Sequence, residues 1–455
     1  MRVRFPRCIQ VLAADAGFNS PASLSNFQRR TASADPRRAA SELKLGLRGG
    51  LLLPVLASSA IVLGAFFHHS ALRDAVTGVA PPDTELVLPL SYVLLSPLSR
   101  LLDAIGLLSA GQHAAAALTV IGLAVFLAVV RAPAGGGRRW ALAVKSAAIA
   151  TGVLVLLYAA VAALPRPMAG ISVSDRNLVV IDFHSHTSAS HDTRKSFSPE
   201  ANRTWHKRAG FDAAYISDHR SFEGAEVARS RNPARSGDGV VLLSAYEGRY
   251  RGSFQIFLGF TRADSAALMD RRRWLLNGRL LSGRLPSSVA ALPGPLEDVQ
   301  FAARDSAPYI VAIEISDGSP RGLAQADRDR NLIIRRADSL GLALVSGTNN
   351  HGWGRVIPAW TLVTVPDWRQ LTPDSLSAAI DAALRTAPRA SVKVVERRRP
   401  TFATPPSLPF TLPVVIAETV ASLTFAERIV WVVWIWTGWL LAGALKRRRR
   451  RAQPP

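Results

Sequence analysis

Two histidines one residue apart, His184 and His186, close the apolar run Val179-Val180-Ile181-Asp182-Phe183-His184-Ser185-His186-Thr187. Residues i and i+2 of an extended strand point to one face, so both imidazoles can aim at a single point, as metal ligation requires. A second acid–histidine pair, Asp218-His219, follows the apolar Ala214-Tyr215-Ile216. Glu247 ends the run Val240 to Tyr246, and His351 ends Ala343 to Asn350. Imidazoles and carboxylates together suit one or two divalent ions such as Zn, Mn or Fe, which lower the pKa of bound water toward neutrality. No protein nucleophile competes with that chemistry. There is no G-x-S-x-G elbow, and the single cysteine, Cys8, rules out both a disulfide and a thiolate metal site.

These side chains need elements to carry them. Ser198-Pro199-Glu200 reads as an N-cap, a first-turn proline and a first-turn acid, and Gly210 closes the helix they open. The unit is strand, helix, strand, with both ligand sets at the carboxyl ends of their strands, where α/β folds and barrels build their sites.

The pattern resembles the PHP family, named for polymerase and histidinol phosphatase. The text that carries the likeness is D-F-H-S-H-T-S-A-S-H-D, I-S-D-H, L-L-S-A-Y-E-G and S-G-T-N-N-H-G, spread over residues 175 to 355, roughly two fifths of the chain. The first two motifs, correctly spaced and placed after strands, are the specific part; the last two alone would be weak. The resemblance implies an α/β fold, a distorted (β/α)7 barrel, over residues 170–400, and a phosphoesterase activity with divalent metal cofactors. It implies metal ligation by His184, His186, His219, Glu247 and His351, and by His191 or Asp192 in the serine-rich turn, with Asp192 favoured for its carboxylate. Asp218 is expected to orient His219 or a neighbour, with a helix N-cap as the plain alternative.

The chain departs from the family pattern twice. Asn349 stands where the family has the aspartate of D-x-H, and a neutral amide does not compensate a dication's charge. Ile256 stands where a further histidine is common, and no histidine lies between His219 and His351. Two metals at most are therefore expected, one near His184, His186, Glu247 and Asn349, the other near Asp192, His219 and His351. Arg249 and Arg251, alternating beyond Glu247, are candidate phosphate clamps. Glu314 and Asp317 end another expected strand, Trp353 and Arg355 follow His351, and His206 reads as a surface residue.

Around this region the composition changes. Gly49 to Phe67, Ala114 to Val130, Trp140 to Leu164 and Ile429 to Leu445 are apolar runs long enough, or nearly so, to cross about 30 Å of hydrocarbon. Residues 86–108 are apolar but broken by Pro89, Pro97, Arg100 and Asp103, and read as a membrane-surface or re-entrant helix rather than a fifth span. Nine Lys and Arg precede Gly49, three lie between 131 and 139, and six follow Leu445. The positive-inside rule puts all three stretches in the cytoplasm and residues 170–400 on the extracytoplasmic side of the cytoplasmic membrane.

The expected organisation is a disordered basic arm over 1–48 and a membrane region over 49–165. The metal-binding domain spans 170–400, a linker with an apolar juxtamembrane segment 401–428, the last span 429–445, and a basic tail 446–455. Of the net charge of +22, residues 165–400 hold 33 Lys plus Arg against 24 Asp plus Glu, and most of the remainder lies in the arm and tail. That surface suits the lipid bilayer and a phosphorylated small molecule or other anionic substrate. Nucleic acid is not favoured, because no aromatic ladder interleaves the arginine runs Arg271–Arg273 and Arg397–Arg399. The expectation is a membrane-anchored, metal-dependent phosphoesterase, with a catalytically degenerate ectodomain that binds a ligand or partner as the alternative. A transporter has little support, since Lys145 is the one charge inside a span.

Overall fold

The computed structural model describes residues 36–132, 136–250, 253–264, 287–296, 309–401 and 404–451. Arg251, the Arg271–Arg273 run and the first 35 residues of the basic arm lie outside the described residues. The chain divides into two units, Met1–Leu56 and Ala57–Pro455, and the sheets, the histidines and the later helices all belong to the second.

The main sheet has ten strands. In chain order they are β1 (Leu72–Asp74), then β4 (Leu178–Ser185), β5 (Ala213–Ile216), β6 (Val241–Tyr250), β7 (Ser253–Leu258), β8 (Ser287–Ala290), β9 (Tyr309–Asp317), β10 (Ala343–Gly347), β11 (Ala359–Thr364) and β12 (Val392–Arg397); β2 (Thr84–Val87) and β3 (Gly170–Val173) form a separate antiparallel pair. Their spatial order is β1-β12-β11-β4-β5-β6-β7-β8-β9-β10, with parallel runs β4-β5-β6 and β8-β9-β10. The sheet curls into a half-barrel. Beyond β10 the chain meets the end of β4: Asn349 N–H donates to the His184 carbonyl at 2.8 Å and His186 N–H to that of Asn350 at 3.2 Å. The inside of the curl is filled by Val179, Ile181, Phe183, Tyr215, Val241, Leu243, Ile256, Val311 and Val345, which pack against Leu376, Ile380 and Leu384 of a helix on residues Pro373–Thr386.

The helix expected after the first motif spans Pro199–Ala209. Ser198 Oγ accepts from the Ala201 N–H, Pro199 and Glu200 fill the first turn, and Gly210 ends it at φ +81°. A side chain at Gly210 would run into the Ile171 backbone, so glycine is required twice over.

Four helices are long and apolar enough to cross a membrane by length and composition: Gly50–Phe67, Ala110–Arg131, Gly137–Ala163 and Phe425–Arg449. Two of them open on capping boxes, Ser109 with Gln112 and Thr424 with Glu427. Residues 86–108 form two short helices, Leu90–Leu94 and Ser96–Gly106. Eleven residues rise about 16 Å, too little to span hydrocarbon. The second of these helices mixes its faces. Leu98 and Leu101 are exposed, while Arg100 and Asp103 are buried beside Leu102.

The buried charges tie this helix to its neighbours. Arg100 Nε and Nη2 donate to the two Glu427 oxygens, both at 2.7 Å, in a bidentate pair with the last apolar helix. Asp103 accepts from Tyr92 Oη at 2.8 Å, from Arg397 Nη1 of β12 at 2.7 Å, and from Arg166. The membrane region also supplies β1, which pairs with β12, and β2, which pairs with β3. The segment between the first two apolar helices is thus part of the α/β sheet system, so the boundary at residue 165 divides the sequence but not the packing.

Removing one partner of a buried ion pair strands the other charge. Arg100→Met is expected to destabilise the full chain in detergent by about 3–5 kcal/mol, and Arg100→Met with Glu427→Gln to recover part of the loss. Thermal unfolding read by circular dichroism checks this; equal loss in both variants would mean that shape, not charge, dominates there.

Candidate metal centre

Two register shifts build the site. Asp182 pairs with Ala214 and Ser185 with Ile216, so three steps of β4 pass two of β5. Val345 pairs with Glu314 and Ser346 with Ser316, so β9 carries an extra residue there. Such bulges re-aim side chains at strand ends. The first lets Asp182 face the helix after β4, where it accepts from His206 Nε2 at 2.8 Å and from Thr348 N–H at 2.9 Å, while His184 and His186 turn into the site. The second brings Glu314 and Asp317, three residues apart, onto the same imidazole: Glu314 Oε1 is 3.0 Å and Asp317 Oδ2 3.5 Å from His184 Nδ1. Gly347 leaves the room, since a side chain there would strike both Glu314 and His184.

Glu247 is the hub. Its Oε2 lies 2.9 Å from His184 Nε2, 3.3 Å from His186 Nε2 and 3.4 Å from His219 Nε2. Asp192 Oδ2 lies 3.6 Å from His219 Nε2 and 3.3 Å from His351 Nε2. The His186 ring centroid is 4.1 Å from that of His351, 4.8 Å from His219 and 5.1 Å from His184. Three groups could each hold an ion: His186, His219 and His351; His184, His186 and Glu247; His184, Glu314 and Asp317. His186 and His184 are each shared between two of them, which differs from the expected division into two separate ligand sets.

The residues present fit a divalent cation. Both His186 ring nitrogens are fully buried without a hydrogen bond, and Asn349 Oδ1 is a buried oxygen without one. Two ligand atoms bound tetrahedrally to one ion at about 2.1 Å stand about 3.4 Å apart, the spacing found between Glu247 Oε2 and both His186 and His219. Burial pushes the His186 pKa down to about 3, so its imidazole is neutral and has a lone pair to give. Burial also opposes protonation of His184, but Glu247 and Glu314 outweigh it and hold its pKa well above the ordinary value. Glu247 is in turn held well below the carboxylate range by the histidines, against the effect of burial. Burial raises Glu314, and burial with the Glu314 charge raises Asp317. Crowded acids and orphaned imidazole nitrogens are what a cation would relieve.

The remaining site residues fall as follows. His191 is exposed, with its ring 5.7 Å from His219, and stands outside the inner cluster. Asp218 holds a neighbour rather than His219: its carboxylate accepts from Thr187 N–H at 2.6 Å and Thr187 Oγ1 at 2.7 Å, fixing the turn after His186. Burial raises its pKa to about 6. His206, read as a surface residue, is fully buried, with Nε2 2.8 Å from the acceptor Asp182 Oδ2 and Nδ1 2.9 Å from the acceptor Asn202 carbonyl. Asn349 adopts φ +47° and its Nδ2 donates to Asp317 Oδ2 at 2.9 Å, so it touches the acidic group on the His184 Nδ1 side. Ile256 lies opposite Glu247 in the β6–β7 ladder and is buried in the apolar core. Arg249 is exposed, with its guanidinium over Phe254 at 4.6 Å. The Phe254 ring stands 6.4 Å from His219, which leaves Arg249 at the rim rather than among the ligands. Glu314 and Asp317 were visible only as acids ending a strand; the bulge that unites them leaves no mark in hydrophobic alternation.

No protein-family model matches the chain, and no curated protein matches it. Among solved structures it is similar to PsfC from Pseudomonas syringae PB-5123, at 16% identity, covering 53% of this chain and 98% of that one, with a TM-score of 0.32. It is also similar to a candidate metal-dependent phosphoesterase from Bifidobacterium adolescentis ATCC 15703, at 13% identity, covering 44% of this chain and 95% of that one, with a TM-score of 0.28. Scores this low carry no argument about activity.

Because the Asn349 amide donates to Asp317, Asn349→Asp sets two carboxylates against each other. The metal-free variant is expected to melt below the wild type, and added Mn or Zn to raise its melting temperature by more than it raises that of the wild type. An unchanged response to metal would show that Asn349 serves the turn alone.

Proposed function

We propose that the chain is a membrane-anchored, metal-dependent phosphoesterase of the PHP type, hydrolysing a phosphate ester. The observation that carries the reading is the convergence of His184, His186 and His219 on one Glu247 oxygen, with His186 Nδ1 buried and without a hydrogen bond. On this reading the curled sheet is a distorted (β/α)7 barrel, His184, His186, His219, Glu247 and His351 hold one or two divalent ions, and Asp192 completes the outer group. A bound divalent ion supplies activated water and positive charge for phosphoryl oxygens.

The chain's own residues do the rest. Glu314 and Asp317 engage His184 Nδ1, which fixes the ring and leaves Nε2 aimed at Glu247. Asp218 and Thr187 lock the turn that carries His186. Burial of His184, His186 and Glu247 keeps bulk water from the inner group. Asp192, the most exposed of the converging carboxylates, stands at the mouth, 3.3 Å from His351 Nε2. Arg249 at the rim is a candidate contact for the anionic substrate.

The α/β domain is assigned to the extracytoplasmic side of the cytoplasmic membrane. The Lys and Arg distribution supports it. So does the pairing of β1 with β12, which requires the segment after the first apolar helix to share a side with the domain.

A catalytically degenerate binding domain is the second reading, favoured by Asn349 and by Ile256, both of which replace charged or nitrogen ligands of the family pattern. The full chain in detergent, loaded with Mn or Zn, is expected to release phosphate from p-nitrophenyl phosphate and to stop when chelated. His186→Ala is expected to abolish turnover, and Glu314→Gln to cost about 10–100-fold in metal affinity or activity. Tight metal binding without phosphate release from any mono- or diester would decide for the binding domain.

A further inference from the structure

The chain that leaves the metal site runs directly to the membrane-associated helices. After His351 come Gly352, packed on Phe197 and Arg194, the half-exposed Trp353, and then Arg355 and Val356. Val356 lies against Gly106, the last residue of the helix Ser96–Gly106. Five residues of chain reach at most about 18 Å, which bounds the distance from His351 to that helix. The candidate span Ala110–Arg131 begins four residues after Gly106. The candidate span Gly137–Ala163 ends three residues before Arg166, and Arg166 pairs with Asp103 of the same short helix. The mouth of the site therefore stands about one helix layer from the point where two apolar helices end.

Positive charge there outnumbers the acids paired with it. Arg194 stacks over Trp353 at 5.3 Å, and its N–H donates to the His351 carbonyl at 3.0 Å. Arg355 is half-buried, and after burial itself the like charges of Arg194, Arg166 and Arg208 lower its pKa. Among the described residues Arg194, Arg208 and Arg355 have no carboxylate partner. Arg166 has one, Asp103, but its side chain is 5% exposed and its Nε and Nη2 are buried without a partner. Orphaned guanidinium nitrogens call for an anion, and guanidinium forks match phosphate oxygens. An exposed tryptophan beside basic residues at a helix end is the chemistry of the membrane–water interface.

We propose that Arg166, Arg194, Trp353 and Arg355 form a binding site for the phosphate headgroup of a membrane lipid. Combined with the phosphoesterase reading, on which this second step rests, the substrate is a lipid phosphate monoester taken from the bilayer. The bond from phosphorus to the lipid oxygen breaks and one from phosphorus to the water oxygen forms. A water proton passes to the leaving lipid alcohol, inorganic phosphate departs to water, and no oxidant or co-substrate is needed.

The test reads binding, with metal removed by chelation so that turnover plays no part. The full chain in detergent is titrated with phosphatidic acid, with phosphatidylcholine and with glycerol 3-phosphate, and bound lipid is read by native mass spectrometry. Phosphatidic acid is expected to bind at least about tenfold more tightly than phosphatidylcholine, and glycerol 3-phosphate not to displace it. Arg194→Ala and Arg355→Ala are each expected to weaken phosphatidic acid binding by about fivefold, with unchanged melting temperatures. Displacement by glycerol 3-phosphate at equal concentration would assign the site to soluble phosphate. No preference over phosphatidylcholine, or full binding by the double arginine variant, would also overturn the proposal. Binding without hydrolysis of any ester would remove the enzyme reading alone, whereas hydrolysis of soluble esters without lipid preference would remove this one alone.

Discussion

The Glu247 carboxylate is the constraint on which the rest of the site depends. One of its oxygens stands within 3.4 Å of three imidazole nitrogens from two different strand ends. A carboxylate so buried is tolerable only if positive charge or hydrogen bonds surround it. That need fixes the end of β4, the Glu247 position of β6 and the residues just after β5 against one another, and His219 in fact makes a parallel bridge to Glu247.

Much of this was legible in the sequence. His184 and His186 announced a shared target through strand alternation, Ser198, Pro199 and Gly210 bounded their helix, and the apolar runs showed their length directly. What alternation could not show was where it fails. The β9 bulge puts Glu314 and Asp317 on one imidazole although their spacing assigns them to opposite faces. His206 looked polar and external because one helical turn in isolation does not reveal what it packs on; only the fold brings Asp182 to it. The short helices at 90–106 were ambiguous for a related reason. Their polar residues meet partners more than 60 residues away, Arg166, Arg397 and Glu427, and no local pattern encodes those meetings.

The helix Ser96–Gly106 joins the two halves of the molecule physically. In water a helix that hides Arg100 and Asp103 while exposing Leu98 and Leu101 would be unfavourable on both faces. Against hydrocarbon the leucines cost nothing, and the charges are satisfied by partners from β12, from the chain after Ala163 and from the last apolar helix. Around this helix ion pairs therefore sit inside, beside the buried Leu102, and leucines outside.

Charge balance on the His184 side of the site leads to the last step. Glu247, Glu314 and Asp317 surround one imidazole, and burial together with mutual repulsion raises the two acids of β9. Three buried acids against one imidazolium leave an excess of negative charge unless protons or a cation supply the difference. Asn349 lightens that excess, because an amide that donates to Asp317 stabilises its ionised form where a carboxylate would repel it. The same amide keeps its Oδ1 buried without a hydrogen bond, a neutral oxygen beside the acidic group. Asn349 thus eases the crowding of charge among these acids, and the positive φ of that residue, which asparagine tolerates well, makes the arrangement available at little conformational cost.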